Sequence, residues 1–124
     1  MATFTKILLN KDGISAGTGR GILVAAIATP GTEIHNTGTS STVIDEVWLW
    51  AVNSDVADRK LTIEFGDVTA PNDLVEVTIP AEGGLVGIIP GFPLVGTGGA
   101  ARKVRAFASV ANVVVINGFV NRIS

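Results

Sequence analysis

The sequence contains no cysteine and no tyrosine, a single histidine (His35), and charged residues at only 16% of its 124 positions. Each shortage closes a route. Without cysteine there are no disulfides and no thiolate metal sites. One imidazole cannot build a histidine-rich metal site within one chain. Three copies of His35 could meet on a trimer axis, but a surface or turn-adjacent histidine is the expected placement. Net charge is −2, and the basic residues are scattered apart from Arg102, Lys103 and Arg105. Nucleic-acid binding needs a basic stripe, so none is expected, and that cluster reads as a solvated strand end. The longest unbroken apolar stretch, Ile22 to Ala28, is far too short to cross a bilayer. Met1 to Ile7 has no long apolar run behind a basic start, so no secretory leader is expected. A protein made and folded in a cytoplasm is the simplest expectation. No cofactor and no metal are expected.

What the chain does have is apolar alternation and turn residues. Hydrophobic residues make up 47% of it, with 15 glycines and 5 prolines. A disordered chain is polar and highly charged, and this one is neither. Leu61, Ile63 and Phe65 alternate with Thr62 and Glu64. Val75, Val77 and Ile79 alternate with Glu76 and Thr78. Val104, Ala106 and Ala108 alternate with Lys103, Arg105 and Phe107. Period-two patterns predict strands with one face in a core. Further strands are predicted at Phe4–Leu9, Ile22–Ala28, Thr32–Asn36, Val43–Val52, Leu85–Ile89 and Val113–Asn121. Turns are expected at Asp12-Gly13, Pro30-Gly31, Gly83-Gly84, Pro90-Gly91 and Gly98-Gly99. A short helical turn near Asn53–Arg59 is possible. Residues 1–21 form a first strand and a Gly-rich loop that could act as an arm, and Phe92 to Ala101 reads as a second long loop. The sum is one all-β domain over residues 1–124: an antiparallel, jelly-roll-like β-sandwich of eight to nine short strands.

Two strands break the alternation. Val47-Trp48-Leu49-Trp50-Ala51-Val52 and Val113-Val114-Val115-Ile116 are apolar on both faces. A sandwich strand covered only by its core should be polar outside, so something else covers these. Trp48 and Trp50 share a face. Each indole can bury on the order of 200 Å², about 5 kcal/mol apiece as an upper figure. Two readings stay open: the tryptophan face is the core, with Val47 and Leu49 under a loop, or it is a subunit interface. Trp48, Trp50, Val113 and Val115 are the candidate interface residues.

Motifs of chemistry are thin. Gly13-Ile14-Ser15-Ala16-Gly17 fits the nucleophile-elbow spacing, but that motif needs a following helix and an acid between the serine and the histidine in chain order. No helix is predicted there, and only Glu33 lies between Ser15 and His35. Gly17-Thr18-Gly19-Arg20-Gly21 leads into a predicted strand rather than the helix that a phosphate loop requires. Asp55, Asp58, Asp67, Asp73 and Glu76 sit in or beside predicted turns, where solubility explains them and no Ca²⁺-loop spacing is matched. A paired-carboxylate glycosidase site is marked by no particular pair. The expectation is that the protein is not an enzyme.

The segment Val52-Asn53-Ser54-Asp55-Val56-Ala57-Asp58-Arg59-Lys60-Leu61-Thr62-Ile63-Glu64-Phe65-Gly66 resembles small virion structural proteins of tailed bacteriophages. So does Val104-Arg105-Ala106-Phe107-Ala108 followed by Val113 to Ile123. The resemblance spans roughly Val43 to Ile123. It implies a capsid decoration or cement protein: a β-sandwich or barrel that trimerises on the head and clamps major capsid subunits by contact alone. Location in the virion, self-association as a homotrimer, and no nucleic-acid or membrane partner follow as expectations. Weak contacts made by several protomers on a lattice would add up through multivalency. The alternative is a receptor- or glycan-binding module of a phage tail or fibre.

Overall fold

The computed structural model describes residues 2–10 and 17–124. The Asp12-Gly13 turn, and residues 13–16 of the nucleophile-elbow match, lie outside the described residues. The described chain is all strand and connection: β1 (Phe4–Leu8), β2 (Ile22–Leu23), β3 (Thr32–Asn36), β4 (Ile44–Asn53), β5 (Arg59–Gly66), β6 (Leu74–Ile79), β7 (Val86–Leu94), β8 (Lys103–Ala108) and β9 (Val114–Ile123). They form two antiparallel sheets. The larger has the order β1-β9-β4-β7, with β2 also paired to β9, and the smaller has the order β3-β8-β5-β6.

The pairing is nested. β2 pairs with β9, β3 with β8, β4 with β7 and β5 with β6. A long hairpin folded over itself in this way is a jelly roll, and β1 is an extra strand lying along the C-terminal half of β9. The core fills the space between the sheets. Val47, Leu49 and Ala51 of β4 meet Leu61 and Ile63 of β5, Val104 and Ala106 of β8, and Val114, Ile116 and Val120 of β9, all fully buried. Inward residues follow the period-two rule on each of these strands.

Several expectations change. The Ile22–Ala28 strand shrinks to Ile22–Leu23. After it Val24 turns into the core, and the amides of Ala25 and Ala26 donate to Thr32 Oγ1 as the chain crosses to the other sheet. Pro90-Gly91 is not a turn. β7 runs through it to Leu94, with two register shifts against β4. The strand tolerates Pro90 and Pro93 because it is a sheet edge, where a missing N–H breaks no ladder on the outer side. Asn53–Arg59 is not helical. Asn53 organises it as a turn: its Oδ1 accepts from the Asp55 amide, and its Nδ2 donates to the carbonyls of Ala57 and Ile79. Glu76 stands in mid-β6 rather than at a turn, its carboxylate 3.3 Å from Lys60 Nζ.

His35 is the largest departure: it is fully buried. A bulge between Glu33 and His35 turns both Ile34 and His35 inward, as an extra residue in one strand re-aims its side chains. The Asn10 amide donates to His35 Nδ1 at 3.1 Å, so Nε2 carries the proton and donates to Asp45 Oδ2 at 2.7 Å. Asp45 is also fully buried. Arg122 completes it, with Nε 2.7 Å from Oδ1 and Nη2 2.9 Å from Oδ2. Burial alone would raise the Asp45 carboxyl. The hydrogen bonds from Arg122 and His35, with the charge of Arg122, outweigh it and hold the group below the usual carboxylate range. This cluster ties β3 of one sheet to β4 and β9 of the other.

Candidate interface on the outer face of the larger sheet

Since Val47, Leu49 and Ala51 point into the core, Trp48, Trp50 and Val52 point out. The tryptophan face is therefore not the core, and Val47 and Leu49 lie in the core rather than under a loop. The register across the sheet builds rows on this outer surface. Phe4, Ile123 and Ile44 form one; Lys6, Asn121 and Glu46 the next; then Leu8, Phe119 and Trp48; then Asn117 and Trp50; then Leu23, Val115 and Val52. Phe4 is 72% exposed, Leu8 45% and Leu23 47%. These are high values for large apolar side chains that share one sheet surface.

The aromatic centre is ordered by its neighbours. Phe119 lies between the two indoles, its ring centroid 6.1 Å from Trp48 and 6.0 Å from Trp50, both nearly parallel to it. Lys6 Nζ sits 4.7 Å from the Phe119 centroid, within cation–π range. Trp48 leans over Gly91, where a Cβ would stand 2.6 Å from the indole. The φ of +79° at Gly91 is open to glycine and strained for other residues. A missing side chain on β7 thus makes the bed for a tryptophan on β4. Trp48 Nε1 is out of water with no acceptor among the described residues, a costly state for a donor.

The structure brings together three of the four residues expected at an interface: Trp48, Trp50 and Val115. Val113 stands apart. It precedes β9 and packs against the margin of the core, while its carbonyl accepts from Ser54. Sequence reasoning missed Phe119, Lys6, Leu8 and Phe4. The alternation of Val115, Asn117 and Phe119 places Phe119 on the outward parity, but its pairing with Trp48 is a fact of register that one strand does not carry.

Other candidate chemistry is sparse. No cluster of three or more metal-ligating side chains occurs among the described residues. Both ring nitrogens of His35 are engaged. Arg102, Lys103 and Arg105 line a shallow polar groove with Asp67 and Thr97, and Lys103 is paired there with Glu33 at 2.7 Å. Comparison with known proteins adds no relative: no family model, no curated protein and no solved structure matches this chain.

Proposed function

We propose that this chain is an assembly protein of the virion decoration type, acting by surface contact, with self-association and binding to major capsid subunits as its work. The observation that carries the proposal is the outer face of the larger sheet, an aromatic and aliphatic surface on which, among the described residues of its strands, Lys6 and Glu46 are the charged side chains. Contiguous apolar patches of this kind mark protein contacts. Fold analogy points the same way, because jelly rolls serve viral capsids, although they serve lectins and cupins too and a fold alone does not assign a function. Mass spectrometry of purified phage particles encoded with this gene tests the proposal. The chain is expected at the stoichiometry of a lattice component, and its absence from the particles would contradict the role.

A second function, glycan or receptor binding, draws on the same aromatic row. Trp50 and Phe119 stand on the solvent side of the sheet beside Asn117 and Asn121, a mix of flat rings and amides suited to sugars. A glycan array with specific hits that Trp50→Ala abolishes would favour it.

A further inference from the structure

We infer that the outer face of the larger sheet is closed by a second copy of this chain, packed face to face about a two-fold axis parallel to β9. The inference rests on the proposed assembly role only in treating this face as a contact surface, and it names the occupant.

The register carries it. β9 is flanked by β4 on one side and by β1 and β2 on the other. A two-fold along β9 turns the sheet over, keeps every row at its own height and exchanges the two flanks. Lys6 and Glu46 lie in one row, on opposite sides of Asn121. The axis therefore sets Lys6 of each copy against Glu46 of the other, so the contact carries two opposite-charge pairs. Neither side chain makes an ion pair within the chain among the described residues. In the next row the same operation sets Leu8 against Trp48, with Phe119 on the axis against its own copy. In the row of Trp50 neither β1 nor β2 supplies a paired residue on the opposite flank, because β1 pairs with β9 only from Phe119 onward and β2 only at Val115 and Ile116; the connection at Gly21 lies there against Val115 and Asn117. An axis running across the strands instead would exchange rows, leaving Lys6 and Glu46 without opposite charges.

Size agrees. β4 and β9 are each 10 residues long. At ~3.3 Å per residue and ~4.8 Å between strands, four strands present on the order of 600 Å² per copy, so a dimer buries about 1,200 Å², the lower end of stable interfaces. Sheets packed face to face lie about 10 Å apart with strands within about 30°. An isologous contact of this type is two-fold, in contrast to the threefold assembly expected from the resemblance to decoration proteins.

Sedimentation of the full chain, wild type and variants, tests the inference. The wild type is expected as a dimer at about 50 µM. Lys6→Glu and Glu46→Lys, each placing like charges together twice, should weaken dimerisation at least about tenfold while leaving the far-ultraviolet dichroism unchanged. The double variant Lys6→Glu/Glu46→Lys should return to within about threefold of the wild type. A monomer, a trimer, or a dimer indifferent to both single substitutions would overturn the inference. A monomer that mass spectrometry still finds in particles would overturn the dimer and leave the virion role standing. A dimer absent from particles would do the reverse.

Discussion

The two sheets are equal partners in the core and opposites outside. The smaller sheet presents Glu33, Lys103, Arg105, Lys60, Thr62, Glu64, Glu76 and Thr78 to its outer face, with Phe107 the main apolar exception. The larger presents two indoles, two phenylalanines and a run of aliphatics. Both sheets needed only one apolar face to fold. The excess on the larger sheet goes beyond what its fold needs, and the proposed association would use it. Part of the smaller sheet's polar face is covered within the chain. The Thr29 hydroxyl and the Gly31 amide both donate to the carboxylate of the fully buried Glu64. Gly31 is what permits that cover to lie close, since a Cβ there would meet the Ala106 backbone at 2.5 Å. One face is partly covered by polar bonds to its own chain, and the other is predominantly apolar.

The comparison yields expectations of decreasing size. Asp45→Ala removes the anchor shared by both sheets and leaves Arg122 and His35 without their acceptor. Urea unfolding should show a loss of about 3–5 kcal/mol, and a loss below 1 would deny the cluster its role as a clamp. Glu64→Ala strips the internal cover from the smaller sheet, leaving the Gly31 amide and Thr29 hydroxyl unpaired. It should cost about 2 kcal/mol without altering self-association. A change in oligomeric state would show that the smaller sheet also takes part.

Acid should expose the clamp in a defined direction. The Asp45 carboxyl is held low in the folded chain, so its contribution is complete above the unfolded-state value near 4. It is lost as pH falls from there through the lower folded value. Asp45→Asn should flatten that part of the stability profile measured by thermal unfolding, and an unchanged slope would contradict the assignment. The smallest effect belongs to the exposed pair Lys60 and Glu76, both more than half exposed. Lys60→Ala should change stability by less than about 1 kcal/mol and leave association untouched.

Much of this architecture was legible because period-two alternation reports burial directly. β3 begins and ends as read, and β5, β6 and β8 bury the parities that their apolar residues announce. Glu64 escaped because alternation shows which face a side chain takes, not whether a distant loop returns to cover it. His35 escaped for a related reason. A bulge shifts parity by one, and nothing in Thr32–Asn36 marks where the extra residue falls. Pro90-Gly91 read as a turn because only a sheet edge tolerates it, and being an edge is a property of the assembled sheet. For the candidate interface, an excess of apolar surface on β4 and β9 could be read from their composition. Which tryptophan parity was outward, and which neighbours joined it, depended on the pairing of β4 with β9 and of β9 with β1.

Both tryptophans of the chain lie on the outer face of the larger sheet, so their fluorescence reports on that face alone. Emission followed while the protein is diluted from micromolar to nanomolar concentration tests most directly whether the face is covered. A red shift on dilution, with the same midpoint as dissociation in sedimentation, is the result the two-fold contact predicts. Emission constant over the whole range, in a protein that sediments as a monomer, would contradict it.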